Sequence, residues 1–426
     1  MPDGAILPAT SCCDADDGLI APDAALARIL REVAPVTATE PLPLAAARGR
    51  VLAAEVAASL ALPPFDQSAM DGYGLTEADL ADGTAPRLVR TILAGDPAGP
   101  ALQPGAAVRV MTGAAVPAGV AAVVMEEHVT LRDGRLVVAR KVRGGDNLRR
   151  RGEDVMPGRV LLSPGTRLDA RHIALAAASG VDRLMVRRQV RVAVLSNGSE
   201  LCESADARHP HAVHDSNRPM LLALLAGRPD IELTDLGLLR DDPAALAARL
   251  GEHAGAHDLI LSSGGVRGSD ADHMPGAIQA AGGTAEMLKL RQKPGKPLAH
   301  GRLGAAVCLC LPGNPLAALV AMLTLGRPLL ARLAGCTEMP PAPLAAVAAE
   351  GFARHPGREE FIPARILGHD AAGRPRVVRS GHSGSARLLP LSLADGLLWL
   401  PAQPDRVAEG QAVRFWPFGA AFALQA

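Results

Sequence analysis

Three of the chain's four lysines, Lys289, Lys293 and Lys296, fall within eight residues, in KLRQKPGKP (289–297). The fourth is Lys141, although 44 residues are Lys or Arg, so nearly every other cation is an arginine. A lysine ammonium is a compact point charge with three mobile donors, suited to oxyanions crowded at one place; arginine is a broad planar fork. If KLRQK is a strand, Lys289, Arg291 and Lys293 share a face, because side chains alternate. PGKP then turns sharply and returns Lys296 to the same neighbourhood. Charge on an exposed edge strand also guards against unwanted pairing, but in this chain arginine would serve that purpose. The segment therefore reads as an anion site.

A second group is acidic. Glu200 in SNGSEL (196–201), Asp241 and Asp242 in LRDDP (239–243), and Asp270 and Asp272 in SSGGVRGSDAD (262–272) each follow an apolar run. In a parallel sheet, ligands bind beyond the carboxyl ends of the strands. Several carboxylates there, beside glycine turns, suit a divalent cation carrying a phosphorylated ligand. Asp242 before Pro243 fits a helix N-cap as well. Asn314 before Pro315, in LPGNP (311–315), can cap in the same way and leave N–H groups free for an anion. Three other stretches carry weaker signals. HPHAVHD brings His209, His211, His214 and Asp215 together, without a cysteine partner or helical spacing. GGVRGSD lacks the GK[ST] ending of a phosphate-binding P-loop. NLRRRGEDV is either a salt-bridged turn or a basic anion patch.

These residues need a scaffold, and 426 residues imply two to four domains. Hydrophobic residues make up 48% and charged residues 21%, a globular balance. Formal net charge is zero and aromatics are 2%, which argues against nucleic-acid binding. No uninterrupted apolar run reaches the roughly 18 residues of a membrane span, and the acidic start lacks signal-peptide character; a cytoplasmic protein is expected. The six cysteines form no CxxC pair, and Cys308 and Cys310 sit two apart in an apolar run, as buried strand residues would. Lys, Asn, Tyr and Phe are scarce, so each becomes a marker. The four asparagines (Asn147, Asn197, Asn217, Asn314) and the single tyrosine, Tyr73, all lie in turn-rich stretches.

The pattern along the chain predicts a multidomain α/β protein. Residues 1–20 read as a flexible arm, and 21–61 with 151–188 as a helical domain in two segments. Residues 62–150 read as an inserted β-rich module. Alternating strands and helices over 189–335 predict a doubly wound parallel sheet. Residues 340–426 read as a small C-terminal β-barrel domain.

Taken in order, PPFDQSAMDGYG (63–74), MTGAAVPAGVAAVVMEE (111–127), NLRRRGEDV (147–155), LSNGSEL (195–201), HDSNRPML (214–221), DLILSSGGV (258–266), KPGKPLAHG (293–301) and LPGNP (311–315) resemble the molybdopterin molybdenumtransferase family, that of MoeA and the gephyrin E domain. GREEF (357–361) and GHSGS (381–385) extend the likeness into the last domain. The resemblance implies an enzyme that takes adenylylated molybdopterin and molybdate, releases AMP and leaves molybdenum on the pterin dithiolene. It also implies the α/β domain as the molybdopterin-binding one, and an elongated homodimer with clefts shared between subunits. Asp71, Thr112 and Asp154 would come from the β module and its return. Glu200, Asp241 and Asp272 would hold Mg²⁺ with the pyrophosphate. Lys289, Lys293 and Lys296 would attract molybdate or phosphate, with the Pro312–Pro315 turn and Ser385 closing the oxyanion pocket. The molybdopterin adenylyltransferase and recipient molybdoenzymes are the implied partners. Two departures stand out: Arg267 replaces a small residue after SSGGV, and Pro363 stands where the family places an arginine, with Arg365 as the substitute. They favour the alternative of a non-catalytic molybdopterin-binding carrier or scaffold. Tungstate in place of molybdate is not separable from sequence.

Overall fold

Three apolar runs form the centre of the protein: β1 (Val190–Asn197), β3 (Leu259–Ser263) and β7 (Ala306–Leu311), almost wholly buried. Strands covered on both faces read as continuous hydrophobic runs rather than alternating ones. The computed structural model describes residues 18–203, 211–266, 273–338, 342–354, 356–381 and 387–419. His209, Arg267, Asp270, Asp272 and Ser385 lie outside the described residues.

The central sheet has six strands. In chain order they are β1, β2 (Ile231–Leu239), β3, β4 (Thr284–Lys289), β6 (Pro297–Leu303) and β7, arranged β2-β1-β3-β7-β6-β4. The first four in that order are parallel, with Val192 opposite Leu259 and Leu259 opposite Val307; β6 and β4 continue the sheet antiparallel. Helices cover both faces. Val192, Leu259, Leu261 and Leu309 pack with α1 (Asn217–Leu225) and α4 (Pro315–Ala321). Ala193, Leu195, Ile260 and Cys308 pack with α2 (Pro243–Ala254) and α3 (His273–Ala280). Cys308 and Cys310 are buried strand residues, and burial pushes the Cys310 thiol up to about 11, so it is an inert hydrophobe. Helix α4 runs on through a π turn to Leu333. Residues Pro315–Leu333 have the length and apolar character of a membrane span, but 72% of that window is buried inside the protein as its core helix.

The β module forms a separate six-stranded sheet built from residues 72–76, 87–92, 106–110, 120–125, 129–132 and 135–138. The chain enters and leaves it side by side. Thr39–Pro43 pairs with Arg183–Arg187, and Val56–Ala57 with Val160–Leu162, beside the helix Ala170–Ala178, whereas the helix Pro22–Arg31 packs its Ala25 and Ile29 into the core of the α/β domain.

The C-terminal strands close into a barrel. Its long strand β8 (Glu359–His369) pairs with Pro375–Arg379 on one side and Gly396–Leu400 on the other, so the sheet has no free edge there. Ala346, Ala364, Val377, Leu398 and Phe415 fill the interior. On the outside, Phe361, Trp399 and Trp416 stack with ring centroids 5.5–6.0 Å apart and pack on the core of the α/β domain.

KLRQK is not one strand. β4 ends at Lys289, and the chain crosses to the barrel, where β5 (Gln292–Lys293) pairs in parallel with Glu359–Glu360 of β8. Exposure still alternates: Lys289 and Arg291 are exposed while Leu290 and Gln292 are buried. The Lys296 carbonyl accepts the Leu290 N–H at 2.6 Å, closing the PGK turn.

Candidate active site

The carboxyl ends of β1, β2, β3 and β7 meet around a cleft of about 340 Å³. Glu200, Asp241, Asn197, Asn217, Ser263 and the glycine turn 264–265 all line it. Asp241 organises one wall. One of its oxygens accepts from Asn197 Nδ2 at 2.9 Å, the other from the Ser199 N–H at 2.8 Å, and Ser199 Oγ accepts the Asp241 N–H at 3.1 Å. Asp242, its neighbour, points elsewhere and caps α2 through the N–H groups of Ala244 and Ala245, as the Asp-Pro pattern allows.

The opposite wall hangs on Asn217. Its amide nitrogen donates to Ser263 Oγ at 2.7 Å and to the Gly313 carbonyl at 2.8 Å, tying α1 to β3 and to the LPGNP turn. Ser263 Oγ donates in turn to the Pro312 carbonyl at 3.2 Å. Asn314 caps α4 through the Ala317 N–H, and Pro315 borders the cleft. Asp215 receives Ser196 Oγ and the Asn217 N–H, each at 3.1 Å, and pairs with Arg218. Burial opposes the Arg218 charge, but bonds to Asp235, Asp215 and Glu203 outweigh it and raise its pKa. Gly264 is needed where it is. Its φ is +98°, and a Cβ there would lie 2.2 Å from the Asn197 carbonyl oxygen.

Two buried atoms in this cleft lack partners: the side-chain oxygens of Asn197 (2% exposed) and Asn217 (6% exposed). A buried polar atom without a partner costs free energy unless a ligand or water supplies one. Both asparagines were marked by scarcity in the sequence, but only Asn314 had a legible local role, because the partners of the other two are distant in the chain. Among the described residues no group of three or more His, Cys, Asp or Glu is arranged to hold a metal; His214 instead touches Cys202 Sγ at 3.4 Å.

The remaining sequence candidates sit in two places. Lys293 Nζ is 2.8 Å from Glu360 Oε1, so the lysine turn is bound to the barrel; Lys289 is exposed and Lys296 half-buried. Arg365 is exposed on β8, two residues beyond the buried Pro363, whose carbonyl accepts the Ser380 N–H at 2.7 Å. On the β module, Asp71 Oδ1 accepts both the Thr112 N–H (2.6 Å) and the Thr112 hydroxyl (2.8 Å), and these bonds hold its carboxyl below the usual carboxylate range. Asp154 is exposed in the bend that precedes the returning strand Val160–Leu162, its N–H on the Leu62 carbonyl. None of Asp71, Thr112 and Asp154 lines the cleft. NLRRRGED resolves as a salt-bridged turn: Arg149 pairs with Glu153, and Arg150 with Asp66.

An α/β sheet with a glycine-turned, carboxylate-lined cleft beyond its strand ends, an inserted β module and a barrel that grips a lysine turn defines a multidomain protein with a small-molecule cleft. Comparison with known proteins makes this specific. The family described as MoeA N-terminal region (domain I and II) matches residues 20–180, the probable molybdopterin binding domain residues 193–332, and the MoeA C-terminal region (domain IV) residues 345–418. The molybdopterin molybdenumtransferase of Haemophilus influenzae is 33% identical over 398 residues, covering 93% of this chain and 98% of its own. Molybdopterin molybdenumtransferase 2 of Mycobacterium tuberculosis is 35% identical over 403 residues, covering 92% and 97%. The crystal structure of the molybdopterin biosynthesis moeA protein from Pyrococcus horikoshii superposes with a TM-score of 0.78 at 26% identity, covering 93% of this chain and 99% of that one. The chain belongs to the molybdopterin molybdenumtransferase family.

Proposed function

We propose that the protein inserts molybdenum into molybdopterin during molybdenum cofactor biosynthesis, taking the adenylylated pterin and molybdate and releasing AMP. The observation that carries this reading is the cleft of a molybdopterin-binding domain, with its carboxylates and unpartnered amide oxygens, in a chain that resembles molybdenumtransferases along nearly its whole length.

The donor set fits Mg²⁺, which is commonly held by one or two carboxylates together with substrate phosphates and water. Glu200 and Asp241 supply two carboxylates on one cleft, beside the unpartnered oxygens of Asn197 and Asn217; Asp272 is the third proposed ligand. When bound, Mg²⁺ supplies positive charge to the phosphoanhydride as it breaks. Asn197 and the Ser199 N–H orient Asp241, and Asn217 holds the cleft walls at a fixed separation. Lys289, Lys293 and Lys296 attract the oxyanion with point charges, and Ser385 and Arg365 complete its pocket. Because Asp71, Thr112 and Asp154 stand outside the cleft of their own chain, a second copy supplies them in a homodimer with shared clefts. The protein works in the cytoplasm between the molybdopterin adenylyltransferase and the enzymes that receive the cofactor.

The alternative of a carrier or scaffold is favoured by one observation: Pro363, buried in β8, offers no cation where the family has an arginine. One experiment separates the two. AMP release from adenylylated molybdopterin with Mg²⁺, stimulated by molybdate and leaving metal on the pterin, is the expected result. Pterin binding without AMP release would overturn the enzymatic reading.

A further inference from the structure

Lys293 is held by an arrangement that no local sequence pattern contains. Its backbone belongs to the barrel, in parallel register with Glu360. Its ammonium lies 2.8 Å from one oxygen of the Glu360 carboxylate, and Nε of Arg354 donates to the other at 3.1 Å. Glu360 is buried at 8% exposure. The Arg354 side chain is more deeply buried, at 2%. Its two terminal nitrogens donate within the barrel, to the carbonyls of Pro401, Pro404 and Arg358. The Lys293 side chain, by contrast, is 40% exposed. A chain of fixed groups therefore runs from the barrel wall to one half-exposed ammonium.

The charges make this more than an ion pair. A lysine facing one carboxylate is neutralised and presents little attraction to an anion. Here Arg354 shares the carboxylate, so the trio keeps one net positive charge, and its only side chain open to solvent to this extent is Lys293. A lysine otherwise has several rotatable bonds and loses that freedom when it binds. Held beforehand, it loses less on meeting a ligand.

We propose that Glu360, itself fixed by Arg354, is a positioning residue for Lys293, and that the C-terminal barrel acts on oxyanion binding through this pair. The inference rests on the reading above that the lysines handle the oxyanion.

The test is a double-mutant cycle on the full chain, with molybdate as the titrant in calorimetry. Lys293→Ala should raise the molybdate dissociation constant about 30-fold and Glu360→Gln about tenfold, the latter because lost positioning outweighs the second net positive charge the variant leaves on the trio, while Glu360→Gln in the Lys293→Ala background should add less than about twofold. Unequal partners of one interaction behave that way; a general structural role of Glu360 would survive removal of the lysine. Glu360→Gln leaves the buried Arg354 without a carboxylate, so Arg354→Met/Glu360→Gln serves as a neutral replacement if the single variant fails to fold; it should weaken molybdate binding as the single variant does. Parental affinity in either Glu360 variant, or a Glu360→Gln effect that adds in full to Lys293→Ala, overturns the proposal. No effect of Lys293→Ala would instead remove the oxyanion reading of the lysines on which it stands.

Discussion

Replacing Asp241 by Asn keeps the size of the side chain and removes its charge. In the parent, each carboxylate oxygen accepts one hydrogen bond, at 2.9 Å from Asn197 Nδ2 and 2.8 Å from the Ser199 N–H. The asparagine oxygen can keep one of these, but its NH₂ must then face a donor. Losing one bond to a charged acceptor costs about 1.5–3 kcal/mol, moderated here because Asp241 is only half-buried. Loss of one of the two proposed ligands Glu200 and Asp241 should weaken Mg²⁺ binding by about 1.4 kcal/mol, or about tenfold. Removing a group that stabilises developing charge typically lowers turnover by a further ~100-fold or more. Two assays are needed. Calorimetric Mg²⁺ titration with bound pterin nucleotide should show the tenfold weakening, and AMP release should fall about 100-fold, with partial recovery in excess Mg²⁺. Parental Mg²⁺ affinity and parental AMP release in Asp241→Asn would refute the assignment of this wall to the metal and the pyrophosphate.

Lys293→Ala should raise the half-saturating molybdate concentration by at least about tenfold, and Lys141→Ala by less than about twofold, since only the first lies in the lysine turn; equal effects in a molybdate titration would undo the lysine argument. If clefts are shared, mixing Asp71→Asn with Asp241→Asn chains should restore about a quarter of parental AMP release, because half of the dimers are mixed and each has one intact site; no recovery would place both residues in one chain's site. Asp230, 3% exposed, is bonded to Arg228 and paired with Arg167, and Asp230→Asn should destabilise the fold by about 3–5 kcal/mol in denaturant unfolding at pH 7, because two buried guanidinium groups lose their counter-charge. Burial alone would raise the Asp230 pKa, but the Arg228 hydrogen bond and both arginine charges lower it; its stabilisation is then complete above about pH 4, the unfolded range, and is lost as pH falls through the lower folded value, a loss the variant should not show.

The sheet was legible because its evidence is local. Continuous apolar runs such as VRVAVLSN and AVCLCL can only be strands covered on both faces in a chain that alternates them with helices. The Asp242 cap was equally legible, since an aspartate before proline fixes a helix start within two residues. What failed was anything closed by a distant partner. NLRRRGED could not be resolved from sequence because the acid that pairs with Arg150 is Asp66, 84 positions away. KLRQK looked like one strand because its exposure does alternate, yet its second half pairs with β8, whose Glu359 begins far downstream. Asn217 could be singled out as scarce, but its function requires Ser263 and Gly313, which only the fold brings to it.

Scarcity and geometry together argue that the lysine turn is a joint between domains. Its first lysine ends a strand of the α/β sheet, opposite Pro297, while the next ends the short strand Gln292–Lys293 that joins the barrel. Any shift of the barrel against the sheet must therefore alter the spacing of Lys289 and Lys293. Phe361, Trp399 and Trp416, three of the chain's nine Phe, Trp and Tyr residues, are spent on fixing that contact. Trp399 also donates its indole N–H to Glu359 at 2.8 Å, the residue before the Glu360 that holds Lys293. An apolar stack gives little direction by itself, whereas hydrogen bonds and paired charges fix position to within a fraction of an ångström. The stack holds the barrel against the sheet, and the Glu359–Glu360 pair sets where the lysine turn lies on it.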